Sequence, residues 1–598
     1  MKYLNRKTLL PVVLSLALVT GACSTAATTA GTTSSTASNT ASSTASSTAG
    51  STTSSAAQTL AENAAVEPVA DTSGQTQETI TLSGTGASSS SAAVTVAEGT
   101  VTITAAGTYR INGTLTDGQL VVEVPGDGVV TLILDGADIT SSTGPALLVS
   151  DAQSVVVQLA DGTQNTLSDA STYAQTGTST DTDTPNAALY STADLTITGG
   201  GALAVHGNAA DGITSKDGLA ITAGTITVSA VDDGIRGKDY LVVSGGTVTV
   251  TAGGDGLKSD NDEDATKGYI AVEGGSLTVT AAGDGLDAVT DVVVSAGTLA
   301  VTAGGGHSAG VADDTSAKGL KGAVSVVVDG GTVTVDAADD AVHANGSVTV
   351  NGGTLSLASG DDGVHADGEV AIAGGTLGVT ESYEGIEGAT IAISAGETTV
   401  TSADDGINAG SQLTIGGGTI VVDADGDGLD SNGSIAISGG TTVVNGPTEN
   451  MNGALDTDGS FTITGGVLLA AGSSGMAEAP DASSAQGWVA VSFSAAQPAG
   501  TVVHIAAADG TVLASFTASK AFSSLVYSSA QITSGASYTA FTGGSVQGES
   551  IGGLTTGGGI DGATSVGTFT AGQAPAGGMG GMGGGMGSGM PGGQRPGG

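Results

Sequence analysis

The chain has 598 residues, of which 101 are glycine and only 3% aromatic, with 58 acidic side chains against 13 basic ones and a formal charge of −45. Small side chains and abundant turn residues exclude a packed helical protein and point to short strands. The charge excludes nucleic acid as a partner, because phosphate binding needs lysine and arginine; cations, or anions bridged by cations, are the partners to expect.

The first segment reads as a targeting sequence. "MKYLNRK" is a positive n-region, "TLLPVVLSLALV" a short apolar stretch and "TGAC" a small-residue cleavage site. Residues 1–22 are therefore expected to be a lipoprotein signal peptide, with Cys23 the lipidated first residue. Thr20 departs from the commoner leucine, and an ordinary secretory signal is the alternative. Cys23 is the only cysteine, so no intramolecular disulfide can form. No later run of 18 apolar residues offers a spanning helix, so the lipid is the expected membrane contact, at the cell surface. Residues 23–75 are mostly Ser, Thr and Ala and read as a disordered tether.

Residues 76–480 read as one solenoid. From Asp211 a unit recurs: Asp-Gly-apolar, a few polar residues, a short alternating segment, then Gly-Gly-Thr and a second alternating segment. Turn starts fall at Asp211, Asp233, Asp255, Asp284, Lys318, Asp340, Asp362, Glu384, Asp405 and Asp427, with a looser copy near Gly453. Most intervals are 22 or 21 residues; those of 29 and 34 hold the insertions "NDEDATKG" and "GGHSAGVADDTSAKG". Alternation in "LAITA" and "TITVS" predicts strands with Leu219, Ile221, Ile226 and Val228 on one side. One unit cannot close a core, so units must stack. The period suits an all-β, right-handed parallel β-helix, in which each residue's neighbour at about 4.8 Å is its equivalent one coil on. Residues 76–200 read as further, less regular coils.

Stacking turns the doubled acids into a ladder: Asp232/Asp233, Asp339/Asp340, Asp361/Asp362, Tyr383/Glu384, Asp404/Asp405 and then Asp427. Two like charges at that spacing repel by about 3.5 kcal/mol at an effective dielectric of about 20, and by about 1 kcal/mol in bulk water. A column of pairs needs raised pKa values or bound cations, and carboxylates beside backbone carbonyls suit Ca²⁺. Asp-Gly is also ordinary turn chemistry, and for any single Asp that reading stays open. Three residues after each turn start runs a second polar column: Thr214, Arg236, Lys258, Asp287, Lys321, His343, His365, Glu387, Asn408 and Asp430. Its sign changes from basic to acidic along the axis. That suggests a binding surface with polarity, using Arg236, Lys258, Lys321, His343, His365, Glu387 and Asn408. The two histidines read as donors beside the turns rather than metal ligands.

The repeat stops near Gln486. "WVAVSFSAA", "TVVHIAAADGTVLASFTA" and "SYTAFTGG" predict a small antiparallel β-module over 486–545, with a hairpin at Asp509 and Gly510. Such a module is placed to cap the strand edges of the last coil. Residues 546–598 are rich in Gly and Met and read as a disordered tail.

The stretch "DDGVHADGEVAIAGGTLGVTESYEGIEGATIAISAGETTVTSADDGINAG" resembles a bacterial family of secreted carbohydrate-binding-domain proteins. Their fold is a calcium-binding right-handed β-helix, and they are associated with cellulose and acidic, pectin-type sugars. "GTYRINGTLTDGQLVV", "NTLSD" and "SKAFSSLVYSS" extend the likeness over about residues 78–545. The resemblance implies calcium near Asp361, Asp362, Asp404 and Asp405, with Glu384 and Glu387 on the rung between. It also implies a polysaccharide partner and a relation in fold to family 9 pectate lyases.

That leaves three functions. The preferred one is a monomeric surface lipoprotein that binds polysaccharide through calcium without turnover. The second is a polysaccharide lyase, with Lys258 as the base that takes the C5 proton. The third is a structural or adhesive solenoid, invited by the threonine arrays but weakened where the second Thr becomes Ala300, Ser356, Gly378 and Val421. The separated acid pairs of a β-helix glycosidase and a Ser-His-Asp set are missing. With Trp488 the only tryptophan, no aromatic platform is evident, so sugar contacts are expected to be polar.

Overall fold

Each coil is built from the same three short apolar segments, so each coil contributes a strand to each of three sheets. After Asp233 these strands are Ile235–Gly237, Tyr240–Val243 and Thr247–Ala252; the next coil gives Leu257–Ser259, Tyr269–Val272 and Ser276–Ala281. The structure, a computed structural model, describes residues 53–67, 76–126, 128–173, 184–311 and 315–574. The signal peptide, Cys23, most of the expected tether and the Gly/Met-rich end lie outside the described residues. The protein is an all-β parallel solenoid of about 16 turns.

Register follows the sequence period. Thr225 pairs with Thr247 and Ile226 with Val248; across the two insertions Thr247 pairs with Ser276 and Asp287 with Lys321. Leu219, Ile221, Ile226 and Val228 are buried in one continuous core with their apolar equivalents along the solenoid; the Ile226 position becomes a buried threonine at Thr398 and Thr442. Each such Val, Leu or Ile contributes about 1.5–3 kcal/mol on burial. On its outward side the third sheet exposes Thr225, Thr227, Ser229, Thr247, Thr249, Thr251, Ser276, Thr278 and Thr280. The central row is interrupted at Ala300, Gly378 and Val421, with hydroxyls between them at Thr334, Ser356 and Thr399.

The glycine before the third strand of a coil has positive φ, +87° at Gly246 of a Gly-Gly-Thr corner and +90° at Gly297 of an Ala-Gly-Thr corner. A Cβ on Gly297 would lie 2.9 Å from the carbonyl carbon of Gly274. Both the left-handed backbone and the stacked corner beneath it demand glycine.

At the far end, Phe522–Ser528 pairs antiparallel with Val467–Gly472 of the last coil and with Trp488–Gln497 on its other side. That cover removes an open strand edge. Beyond it stands a five-stranded antiparallel sheet, in which Val502–Ala506 and Val512–Thr517 form the hairpin through Asp509 and Gly510. This sheet extends past the expected end of the module at 545, since Leu554–Thr555 and Thr564–Thr570 are its outer strands. The expected disordered tail is thus corrected for residues 546–574. Glycines such as Gly552 and Gly562 take positive φ in its turns, so a composition that reads as disorder is turn chemistry there.

The tether expectation is also corrected for residues 53–67. Ala56–Glu62 is a helix opened by a capping box between Ser55 and Gln58. Ala56 and Leu60 pack on Tyr240, Val242, Tyr269, Ala271, Val293 and Val327, on the outward side of the second sheet. The strap runs against the direction of coil stacking. Ser54 O accepts from Asn351 (2.9 Å), the Ala56 amide donates to Asp329 (2.8 Å), Asn63 donates to Asp291 (2.8 Å), and the Glu67 amide donates to the Tyr240 hydroxyl (3.0 Å). Small alanines fit a groove floored by valines and alanines, which is why this composition can dock.

Gly297→Val tests the corner. It is expected to lower the melting temperature by several degrees, of order 2 kcal/mol in strain. Hydrogen exchange should lose protection in the coils touching residue 297 first, because each coil contacts only its neighbours. Uniform protection along the solenoid would contradict this.

Candidate functional site

The turn-start acids have two jobs, one for each carboxylate oxygen. Oδ1 accepts the amide that opens the following coil: Asp255 N donates to Asp233 (2.9 Å), Asp284 N to Asp255 (2.9 Å), Lys318 N to Asp284 (2.8 Å), Asp362 N to Asp340 (3.0 Å) and Asp427 N to Asp405 (2.6 Å). Oδ2 turns to the residue three positions on. Thr214 donates to Asp211 (2.8 Å), Lys258 to Asp255, and Nδ1 of His343 and of His365 lies 2.8 Å from Asp340 and Asp362; Asp284 instead accepts from Lys321 of the next coil (2.8 Å). The turn column is therefore structural and electrostatic together.

The second column stacks in register as the period predicts, from Thr214 through Arg236, Lys258, Asp287, Lys321, His343, His365, Glu387 and Asn408 to Asp430 and then Asp456. From Arg236 to Asp430 it is half-buried, and up to His365 its cations neutralise the acid column. Arg236 pairs with Asp260. Lys258 is hydrogen-bonded to Asp255 and lies 3.6 Å from Asp233 and 3.8 Å from Asp287. Burial opposes its charge, but these acids outweigh burial and hold its pKa well above the ordinary value. Lys321 joins Asp284 and Asp287 (2.8 and 3.1 Å), and Lys318 joins Asp339 and Asp340 (2.9 and 2.7 Å). His365 sits between Asp362 (2.8 Å) and Glu387 (2.9 Å), and its imidazole stacks on His343 at 5.0 Å. Those two hydrogen bonds push the His365 pKa up to about 11, so the shared proton stays on the ring.

Past His365 the balance ends. Among the described residues no lysine, arginine or histidine pairs with Asp404, Asp405, Asp427, Asp430 or Asp456. Burial first, and then neighbouring acids, push Asp405 and Asp427 up to about 6 and Asp430 up to about 7. Glu478 also rises to about 7. Asp430 was legible as a member of the second column. Asp456 was signalled only by the loose copy near Gly453, and Glu478 lies outside the repeat.

Groups of three metal-capable donors within 4.8 Å of one another are Asp339/Asp340/Asp361, Asp340/Asp362/His365 and Asp362/Glu384/Glu387. The first already holds Lys318, and the other two touch His365. Of the ten acids expected to bind metal, Asp233, Asp339, Asp340 and Asp362 thus lie against cations of the protein itself, and Glu384 accepts from Asn408 at 3.1 Å. Asp404, Asp405 and Asp427 stand in the uncompensated coils. Their donors are hard oxygens, with one imidazole at the border, and such a set is compatible with a divalent cation.

The geometry also gives a pH dependence. A carboxyl with a raised folded pKa holds more protons folded than unfolded between about pH 4 and its folded pKa, so stability falls as pH climbs through that window. His365, raised from the ordinary imidazole range, acts in the same direction. Asp340 is held down to about 2 by His343 and Lys318 against its burial, so its share of stability is lost only below about pH 4. The cation-free protein is therefore expected to melt about 5 °C lower or more at about pH 8 than at about pH 5. Ca²⁺ should restore most of the loss at the higher pH and little at the lower, and Mg²⁺ should restore less. Calorimetry with and without chelator checks this; melting curves indifferent to pH and calcium would remove the cation from the ladder.

A family model described as carbohydrate-binding domain-containing protein matches residues 97–363 and 364–540. A carbohydrate-binding domain-containing protein of Acetivibrio thermocellus is 39% identical over 130 residues, which are 22% of this chain and 45% of that relative. The chain thus spans less than half the length of that relative. Among solved structures, the polysaccharide lyase-like protein from C. thermocellum, in a gadolinium derivative, is 35% identical at a TM-score of 0.36, covering 38% of this chain and 92% of that one.

Proposed function

The chain belongs to the family of carbohydrate-binding domain-containing proteins, and on that premise we propose that it is a surface-anchored, non-catalytic polysaccharide-binding protein whose glycan contacts depend on calcium. Its partners in this reading are acidic, pectin-type or cellulosic glycans. The observation that carries the proposal is the change of electrostatic balance at His365. Coils before it hold their own cations, whereas the coils of Asp404, Asp405, Asp427 and Asp430 do not. Calcium held there by Asp404, Asp405 and Asp427, with Glu384 on the neighbouring rung, would neutralise the edge and offer open coordination positions to a uronate carboxylate. The protein's own residues hold these donors in line, since the Asp405 and Asp427 carboxylates are each fixed by an amide of the next coil.

The pairing of Lys258 argues against the lyase alternative. A base for C5 must give up its proton near neutral pH, and the surrounding Asp255, Asp233 and Asp287 keep Lys258 charged.

The test is retention on polygalacturonate and on cellulose, with and without Ca²⁺, followed together with ultraviolet absorbance from unsaturated uronate. Calcium-dependent retention on the acidic polymer without an absorbance rise is expected. Asp404→Ala combined with Asp405→Ala should cost about tenfold or more in retention, and Lys258→Ala clearly less. Product formation abolished by Lys258→Ala would make the protein a lyase. Absence of retention on every glycan would leave the structural, adhesive solenoid.

A further inference from the structure

One cleft of about 370 Å³ lies at a coil corner away from the second column, lined among others by His307, Glu381, Ser382, Tyr383, Ser402 and Asp425. That volume is at the lower end of small-ligand sites. Three separate departures from the repeat meet there, and the solenoid needs none of them to stack.

The first is His307, which comes from the longer insertion. Its amide and its Nδ1 both lie on Asp336 Oδ1, at 2.7 and 2.8 Å, and its Nε2 is 3.4 Å from Glu381. The ring is fixed at the rim by two carboxylates. The second is a register shift in the third sheet: Leu357 pairs with Val379, but Ala358 pairs with Glu381. Such a bulge bends the strand and re-aims its side chains, and bulges gather beside binding sites. The third is Tyr383, which replaces the first acid of the doubled pair. At 49% exposure it is the only aromatic side chain among the described residues left so open. It is nonetheless held in place: its amide donates to Asp361 O (2.9 Å), its carbonyl accepts from Asp404 N (2.8 Å), and its hydroxyl is hydrogen-bonded to Asp404.

We propose that this cleft is a subsite for one neutral pyranose ring of a polysaccharide, beside the acid ladder and working without calcium; the proposal rests on the carbohydrate-binding reading above. Tyr383 gives a fixed, half-exposed ring with an apolar body and a wet tip, suited to the C–H side of a pyranose. Glu381 and Asp425 accept hydroxyl hydrogens, and Ser382 and Ser402 can donate or accept. The charge selects the class. Glu381 and Asp425 line the cleft and Asp336 holds the His307 ring; against these three acids stand His307 and Lys520, which meets Asp425 at 2.7 Å, so the cleft stays acidic and repels a uronate while leaving a neutral sugar unopposed.

The test uses the full chain and a panel of neutral tetrasaccharides (cello-, xylo- and manno-), with tetragalacturonate as the acidic control. Saturation-transfer NMR and calorimetry are run in chelator and in Ca²⁺. At least one neutral tetrasaccharide should bind equally in both, and Tyr383→Ala should weaken it about tenfold or more. Tyr383→Phe should keep most of the affinity, which separates loss of the ring from loss of fold. His307→Ala gives a second variant at the opposite rim and should also weaken binding. Retention of the His307→Ala variant on polygalacturonate in Ca²⁺ should be unchanged. Wild type that holds polygalacturonate but no neutral tetrasaccharide would overturn the subsite alone. Equal affinity in wild type, Tyr383→Ala and His307→Ala would overturn it too. Failure on every sugar, acidic or neutral, would overturn the reading beneath it as well.

Discussion

A carboxylate in one coil that accepts the amide of the next is the contact on which this molecule's organisation depends. It fixes the corner where a turn begins, and it does so with a charged group whose other oxygen meets the polar column beside it. A neutral cap such as asparagine could hold the amide equally well. The choice of aspartate makes every corner a charge, and stacking at strand spacing makes those charges neighbours. The rest of the edge answers that repulsion. Lys258, Lys318, Lys321 and His365 are drawn from the same or adjacent coils, and each supplies positive charge beside one or more turn acids. Where the protein supplies no cation, the acids are driven towards their neutral forms.

Much of this was legible from period alone. The interval of 22 residues placed Arg236 over Thr214 and His365 over His343 before any coordinates, because in a solenoid sequence distance becomes spatial distance. The pairing of charges was less legible. Lys318 and Lys321 stand beside Asp284, Asp287 and Asp340 only because the long insertion leaves register unchanged, and whether an insertion shifts register depends on how its ends are hydrogen-bonded. Two elements were invisible for a different reason. The helix Ala56–Glu62 is too short to show a periodic face, and its alanines match a tether's composition. The outer strands of the terminal sheet, Leu554–Thr555 and Thr564–Thr570, hide in a glycine-rich run whose turns need that glycine.

The irregular parts carry the individuality. The shorter insertion brings Thr266, whose carbonyl accepts the Ala64 amide at 2.7 Å, and Lys267, which pairs with Asp239 at 2.6 Å; it helps seat the strap. The longer one brings His307 to the rim of the cleft. Regular coils thus make a scaffold whose faces repeat, and a small number of excursions make surfaces that occur once. Specific recognition needs the second kind, because a face repeated many times cannot by itself fix where along the rod a ligand stops.

The strap has a mechanical consequence. It contacts the solenoid from the coil of Tyr240 to that of Asn351, so tension applied to the chain before Ser54 first reaches the middle of the rod rather than its first coil. The contacts at Asn351, Asp329 and Asp291 lie along the pull and share the load in shear. The first strand, Gln77–Gly84, would otherwise be peeled away one hydrogen bond at a time. A rod held in this way can resist drag on whatever it has captured without starting to unravel from its exposed end.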